Sequence, residues 1–139
     1  MTLCDAGPLV ALIDRDDVHH TRCVAPLVRL PAGGLLTTWP CFTEAMYLLG
    51  RAAGLTAQDA LWGYVADGLL RLLPPETYEL ERMRALMRQY HDTPMDLADA
   101  SLVVAAERLG LRRIFTLDRH FRSYRIHGSE AFESVPDPA

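Results

Sequence analysis

The sequence predicts an α/β fold, a three-layer sandwich in which a short parallel sheet is covered by helices on both faces. Four short apolar runs alternate along the chain with longer segments of helical periodicity, and they span residues 2–5, 35–38, 69–73 and 114–117. Alternating strands and helices form parallel sheets, because each helix carries the chain back to the edge where the last strand began. The length of 139 residues suits one domain, placed at residues 1–135, with a tail at residues 136–139 that we expect to be disordered.

Two helices are predicted between the first and second strands. The first strand ends at an acid and is followed by a turn and by Pro8, which suits the first turn of a short helix that runs to Ile13. Asp16 or Asp17 can cap a second helix over residues 18–29. Both helices carry apolar residues that the sheet can bury.

Two further helices follow the second strand. A third helix begins after Pro40, has its apolar residues at helical spacing and ends at Gly54. Thr56 can cap a fourth helix that runs to about Asp67. The next apolar run is short enough for a strand and ends at a pair of prolines.

The last predicted helices lie between the third and fourth strands. One is rich in arginine and glutamate and covers residues 76–91. The other is introduced by Pro94 and Asp96 and ends near Gly110, a residue type that often terminates helices. A pair of arginines then leads into the fourth strand.

Composition limits the possible chemistry. The chain is 50% hydrophobic and 23% charged, with a formal net charge of −4, so no overall positive field attracts nucleic acid and any such partner must meet a local patch. All fourteen basic residues are arginine and no lysine is present, which excludes every mechanism that needs a lysine amine.

Cellular location is predicted from the cysteines and the N-terminus. Cys4, Cys23 and Cys41 are odd in number and lack Cys-x-x-Cys spacing, which indicates buried thiols in a reducing compartment. The N-terminus has no basic region and its apolar stretch is interrupted by Asp5, so no signal peptide is predicted. No apolar run has the roughly 18 residues of a membrane span. We therefore expect a soluble cytoplasmic protein without membrane contact.

Two carboxylates directly follow predicted strands. Asp5 ends the first strand and Asp118 comes immediately after the fourth. Ligands of open parallel sheets bind beyond the carboxyl ends of the strands, so both acids are well placed for chemistry. Aspartate in this position can also be only a turn former or a helix cap.

Asp99 is predicted to point inward. Leu102, Val103 and Ala106 follow it at helical spacing, so the carboxylate shares an apolar stripe. A buried carboxylate is costly unless a cation or hydrogen-bond donors meet it. Alternatively, both acids could serve only to cap the helix, with Asp96 as the N-cap and Asp99 in the first helical turn. This role accounts well for Asp96, but it does not account for the position of Asp99 on the apolar stripe.

Glu44 lies off the apolar stripe of its helix, so it could simply be a surface residue or pair with Arg51. An α/β fold can nevertheless bring four carboxylates to one edge of the sheet, namely those of Asp5, Glu44, Asp99 and Asp118. Carboxylates gathered in this way repel one another and are sensible only around divalent cations. Ligation by oxygen alone favours Mg²⁺ or Mn²⁺ over Zn²⁺.

These acids lie in four short motifs in a fixed order: LCDAGPLVALID at residues 3–14, TEAMYLL at 43–49, MDLADASLV at 95–103 and FTLDRHF at 115–121. The order resembles the PIN domain nucleases, and most closely the single-domain members that act as the toxin of a bacterial VapBC-type toxin–antitoxin pair. The resemblance extends from residue 1 to about residue 125. One departure is Ala6 and Gly7, where many members carry a hydroxyl or amide side chain.

The resemblance implies a site and a reaction. Its catalytic and metal-binding residues would be Asp5, Glu44, Asp99 and Asp118, with Asp96 as a possible outer-shell acid. Thr116 could hydrogen-bond a water on the metal. The implied activity is a Mg²⁺- or Mn²⁺-dependent endoribonuclease in which a metal-activated water hydrolyses RNA and leaves 5′-phosphate and 3′-hydroxyl ends. The implied partners are RNA, a cognate antitoxin and a second copy in a homodimer.

Several further side chains have competing interpretations. Arg112, Arg113, Arg119 and Arg122 could bind RNA phosphates or could be solvated surface residues. A zinc site from His19, His20 and Cys23 is less favoured than surface histidines and a core thiol. The apolar residues of the third and fourth helices could be core, a dimer face or an antitoxin groove, and they are Trp39, Leu48, Leu55, Leu61, Trp62 and Tyr64.

Three other functional classes compete with the toxin nuclease interpretation. Haloacid dehalogenase-type phosphatases and receiver domains also place acids at strand ends, but both use a lysine that this chain lacks. A non-toxin RNA-processing nuclease would share all of the predicted site. A catalytically inactive PIN-fold binding module would be expected to have lost acids, and here all four are present.

Overall fold

A computed structural model describes residues 1–136 of the protein. Residues 137–139 of the predicted disordered tail lie outside the described residues, and Pro136 forms a bend after the last strand. None of the helices in the described part combines the length and apolar composition that crossing a bilayer requires.

The structure is an α/β sandwich, as the sequence predicts. A five-stranded parallel sheet has the order β3-β2-β1-β4-β7, and a small antiparallel pair is formed by β5 and β6. The strands of the described residues are β1 (Thr2–Cys4), β2 (Leu35–Thr38), β3 (Leu70–Leu73), β4 (Arg113–Phe115), β5 (Arg125–Ile126), β6 (Glu130–Ala131) and β7 (Glu133–Val135).

Helices cover both faces of this sheet. They are α1 (Ala6–Ile13), α2 (His20–Leu27), α3 (Trp39–Ala53), α4 (Leu55–Ala66), α5 (Leu80–Gln89) and α6 (Leu97–Leu109). Short 3₁₀ turns precede α5 at Thr77–Glu79 and follow β4 at Arg119–Arg122. The α2 and α5 helices are shorter than predicted, because α2 begins after a turn at 15–19 and the first residues expected in α5 form the 3₁₀ turn.

Alternating residues of each strand fill two separate cores. In β1, Leu3 packs into the core beneath α5 and α6, whereas Cys4 packs beneath α1 to α4. In β4, Ile114 packs into the same core as Leu3, and Phe115 packs into the same core as Cys4. This alternation is the period-two pattern of a strand buried on both faces, and it produces the three layers.

Two features of the sheet were absent from the sequence prediction. The strand β7 pairs with β4 and extends the sheet by one strand, and the β5–β6 pair reverses at His127 and Gly128, both of which have positive φ. The residues of β7 are partly exposed and only Val135 is apolar, so no hydrophobic run marks the strand. Edge strands of this kind have a weak local signal.

Candidate active site

Three carboxylates meet at the carboxyl edge of the sheet. Asp5 follows β1 directly and caps α1, Asp99 lies in the first turn of α6, and Asp118 follows β4 and caps the 3₁₀ turn. One carboxylate oxygen from each residue lies within 4.8 Å of those from the other two. They line a cavity of about 290 Å³, to which Glu44 and Asp96 also contribute.

Asp5 is held by hydrogen bonds at both carboxylate oxygens. Oδ1 accepts from the backbone N–H of Ala6 (2.8 Å), and Oδ2 accepts from the hydroxyl of Thr116 (2.9 Å). Burial raises the pKa of Asp5, the charges of Asp118 and Asp96 raise it further, and the two hydrogen bonds oppose this change. The two hydrogen bonds therefore hold the Asp5 carboxylate in place, while burial and the neighbouring charges disfavour its ionised form.

Asp96 and Asp99 form a reciprocal capping box at the start of α6. The backbone N–H of Asp99 donates to Asp96 Oδ1 (2.9 Å), and the N–H of Asp96 donates to Asp99 Oδ2 (3.2 Å). Asp99 is only 6% exposed, consistent with its apolar stripe. Burial and the charges of Asp96, Asp5 and Asp118 raise the pKa of Asp99 to about 8. Asp99 thus serves both as a helix cap and as a buried acid of the cluster.

Thr116 connects two members of the cluster. Its hydroxyl donates to Asp5 Oδ2 and accepts from the backbone N–H of Asp118 (3.0 Å). The Thr116 hydroxyl therefore links the Asp5 carboxylate to the backbone of Asp118, and its bond to a water on the metal stays a prediction. Asp118 Oδ1 accepts from the backbone N–H of His120 (2.9 Å), and His120 Nδ1 lies 3.0 Å from the same oxygen.

Glu44 is exposed on α3 and lines the same cavity, outside the three-carboxylate cluster. Its pKa is raised by partial burial and by the charges of Asp96, Asp5 and Asp118. The pairing with Arg51 that the sequence allowed is not formed, since that guanidinium donates to the hydroxyl of Tyr47.

Two residues that the sequence did not place at the site contact the cluster. The buried thiol of Cys41 lies 4.0 Å from Asp5 Oδ1, and the hydroxyl of Tyr124 lies 3.5 Å from Asp99 Oδ2. Burial, together with the charge of Asp99, raises the pKa of Tyr124 above its ordinary range. Neither residue belongs to a motif, so only the folded chain shows these contacts.

The donor set of the cluster fits a divalent cation. Asp5 and Asp99 receive hydrogen bonds from neutral groups, namely backbone N–H groups, hydroxyls and a thiol. Neutral donors offset only part of the cost of gathering buried carboxylates, and the raised pKa values of both acids reflect the remainder. An oxygen-binding dication such as Mg²⁺ or Mn²⁺ would offset it.

The four candidate phosphate-binding arginines separate into two pairs. Arg119 and Arg122 are exposed on the 3₁₀ turn that Asp118 caps. Arg112 and Arg113 lie at the other end of β4, where they approach Glu130 (4.0 Å) and Glu133 (3.3 Å). Arg112 and Arg113 are therefore separated from Asp118 by the length of the strand, whereas Arg119 and Arg122 directly follow it.

The cysteines and His20 occupy positions that suit structural roles. Cys4, Cys23 and Cys41 are buried free thiols. His20 Nδ1 lies 2.7 Å from the carbonyl oxygen of Ala11, and the only metal-type cluster within residues 1–136 is the acidic one. The structure thus favours the core-thiol interpretation over a zinc site.

The apolar residues of α3 and α4 are divided between core and surface. Leu61 is fully buried, whereas Trp39 and Trp62 are 41% and 49% exposed and both contact the ring of Phe42 edge-on. Leu48 and Leu55 are also exposed. We call Trp39 and Trp62, which both contact Phe42, the aromatic patch; it is more exposed than a core would be.

The parallel sheet and the acidic cluster at its carboxyl edge define a class of α/β protein with a site suited to a divalent cation. The chain belongs to the PIN domain family, which matches residues 2–126. It is 30% identical over 135 residues to Ribonuclease VapC26 of Mycobacterium tuberculosis, covering 96% of this chain and 99% of that protein.

Two solved structures are similar in fold. The crystal structure of Mycobacterium tuberculosis VapC20, described as a sarcin-ricin loop cleaving toxin, has a TM-score of 0.78 at 16% identity, covering 85% of this chain and 90% of that one. FitAcB from Neisseria gonorrhoeae has a TM-score of 0.65 at 18% identity, covering 96% and 97%. At these identities the similarity shows the α/β fold alone.

Proposed function

We propose that this protein is a metal-dependent endoribonuclease and the toxin component of a type II toxin–antitoxin system. The observation that carries the proposal is the cluster of Asp5, Asp99 and Asp118, with oxygens within 4.8 Å, in a PIN domain chain 30% identical to a ribonuclease over nearly its whole length.

Asp5, Asp99 and Asp118 would hold the cation, with Glu44 at the edge of the cavity as a further ligand and Asp96 as an outer-shell acid. A bound Mg²⁺, for which Mn²⁺ is expected to substitute, lowers the pKa of a water and stabilises the charge that develops on a phosphodiester during hydrolysis. Thr116 and Ala6 hold the Asp5 oxygens, and the capping box holds Asp99.

Arg119 and Arg122 are the residues that we expect to contact RNA phosphates. Both follow Asp118 on the exposed 3₁₀ turn, and guanidinium groups bind phosphate oxygens in a bidentate manner. Positive charge beside an acidic cavity would counteract the repulsion between the carboxylates and the RNA backbone. Single-stranded or loop RNA suits this cavity, because unstacked strands reach a recessed site more easily.

A toxin requires a partner that restrains it, and the aromatic patch is the surface that we assign to a cognate antitoxin. Exposed tryptophans of this kind are common at interfaces. We also expect a homodimer with two-fold symmetry and action in the cytoplasm, where RNA targets are found. Sedimentation of the isolated chain tests the dimer, and a single monomer species would contradict it.

The decisive experiment is cleavage of a structured RNA pool by wild-type protein in Mg²⁺ or Mn²⁺, beside Asp5→Asn and Asp99→Asn prepared identically. We expect cutting by wild-type protein alone, loss of cutting in EDTA, and products with 5′-phosphate and 3′-hydroxyl ends. Products with 2′,3′-cyclic phosphate would contradict the metal-activated water. Equal cutting by all three proteins would indicate a contaminating nuclease and refute the assignment.

RNA cleavage combined with a growth assay separates a toxin from a binding module and from a processing nuclease. An inactive PIN-fold binding module would bind Mn²⁺ and RNA but cut no RNA. A processing nuclease would cut RNA, yet its expression would not arrest growth. We expect arrest on expression of the wild-type protein and normal growth with Asp99→Asn.

A further inference from the structure

Tyr124 is a fully buried tyrosine whose hydroxyl faces two acceptors. Its ring packs edge-on against those of Tyr90 and Phe121, with both centroid distances 5.1 Å. The hydroxyl lies 3.3 Å from the carbonyl oxygen of Thr93 and 3.5 Å from Asp99 Oδ2. A buried phenol needs such a partner, and a carboxylate is the stronger acceptor when it is ionised, as it would be beside a bound cation.

Residues 116–124 contact every carboxylate of the cluster, and we call them the framing segment. Thr116 donates to Asp5, Asp118 is itself a member of the cluster, and Tyr124 donates to Asp99. Phe121, fully buried between these residues, anchors the segment in the core. One short stretch of chain therefore provides the third acid and a hydroxyl partner for each of the other two.

We propose that Tyr124 is a positioning residue whose hydroxyl holds Asp99 Oδ2 so that the carboxylate keeps the orientation in which it meets Asp5 and Asp118. The terminal torsion of an aspartate is soft, so a carboxylate needs external contacts to keep one orientation. Asp99 Oδ2 receives the N–H of Asp96 and the hydroxyl of Tyr124, which leaves Oδ1 for the cation. Partners of this kind orient metal ligands in other proteins. The inference rests on the proposed function, because it treats these acids as cation ligands.

A purely structural role is the competing explanation. A hydroxyl has one proton, and if Tyr124 serves only the carbonyl of Thr93, it stabilises the turn before α6 and has no effect on the cation. The two roles differ in a measurable way. Positioning affects Mn²⁺ affinity, whereas support of the turn affects only the stability of the metal-free protein.

The test is Tyr124→Phe, which removes the hydroxyl and keeps the ring. Tyr90→Phe is the matched control, because Tyr90 packs against the same ring and its hydroxyl accepts from the backbone N–H of Arg125 instead of contacting an acid. Mn²⁺ binding to the full chain is measured by titration calorimetry. We expect Tyr124→Phe to weaken Mn²⁺ binding by about tenfold and Tyr90→Phe to leave it unchanged.

Unchanged Mn²⁺ affinity in Tyr124→Phe, or equal loss in both variants, overturns the positioning role. Wild-type protein that binds no Mn²⁺ overturns the proposed metal centre itself, so the two failures are distinguishable. If Tyr124→Phe is too unstable to titrate, a double-mutant cycle with Asp99→Ala, which removes the acceptor oxygen, is measured on the metal-free protein by urea unfolding. Non-additive effects support the contact, and additive effects overturn it.

Discussion

Replacing Asp99 by asparagine should stabilise the metal-free protein at neutral and alkaline pH. The folded protein raises the pKa of Asp99 from 3.8 to about 8. Burial is the main cause, the hydrogen bond from the Asp96 N–H opposes it, and the charges of the neighbouring acids add to it. Asparagine keeps the shape and the acceptor oxygen that the N–H of Asp96 needs, but it carries no charge. The substitution therefore removes the cost of ionising a buried group and little else.

The sign follows from proton linkage. Because the pKa is higher in the folded state, the folded protein retains a proton that the unfolded chain has released, so stability falls as pH rises from about 4 towards 8. A single proton retained in the folded state changes the free energy of unfolding by at most about 1.4 kcal/mol per pH unit. Because neighbouring charges interact with Asp99, its proton is released gradually, and we expect the advantage of Asp99→Asn to grow by about 1 kcal/mol per pH unit between pH 5 and pH 8.

Urea unfolding in EDTA at pH 5, 6, 7 and 8 measures this effect. Asp59→Asn is the matched control, because Asp59 is an exposed acid on α4, and its curve should stay parallel to that of the wild type. Adding Mn²⁺ at pH 8 to a hundred times its dissociation constant should stabilise the wild type by about 2.7 kcal/mol and so offset most of the advantage that Asp99→Asn gains between pH 5 and pH 8. A constant difference between wild type and Asp99→Asn across the pH range would refute the reasoning.

Two further predictions concern the surroundings of the cluster. Thr116→Val removes the hydroxyl that donates to Asp5 and accepts from the N–H of Asp118, so it should lower the free energy of unfolding in urea by about 1–3 kcal/mol and weaken Mn²⁺ binding about tenfold. Thr116→Ser keeps a hydroxyl and should recover most of the stability and of the Mn²⁺ affinity. A valine variant with wild-type stability and affinity would contradict the link between Asp5 and Asp118. Replacing Arg119 and Arg122 together with glutamine should weaken RNA binding and reduce the salt slope by about 0.7 per lost phosphate contact. The same change at Arg112 and Arg113 should leave that slope unchanged. A wild-type slope in the variant of Arg119 and Arg122 would show that this pair does not contact phosphate.

The fold was largely predictable because its strands are short apolar runs bounded by proline, glycine and acids. The strand β7 was missed, since Glu133–Val135 has one apolar residue and acquires its place only by pairing with β4. The separation of the four arginines into two pairs was also not apparent from the sequence. Arg113 is only five residues from Asp118 in sequence, but a strand advances about 3.3 Å per residue, which carries the two residues to opposite edges of the sheet.

The α/β class, the inward face of Asp99 and the strand-end positions of Asp5 and Asp118 can all be inferred from the sequence, because each depends on local periodicity and on the rule that parallel strands share a carboxyl edge. The bond from Thr116 to Asp5 and the approach of Tyr124 to Asp99 emerge only in the folded chain. These contacts join residues separated by 111 and 25 positions, and no local pattern encodes them. They arise when two cores pack against one sheet and bring side chains from different elements within hydrogen-bond distance.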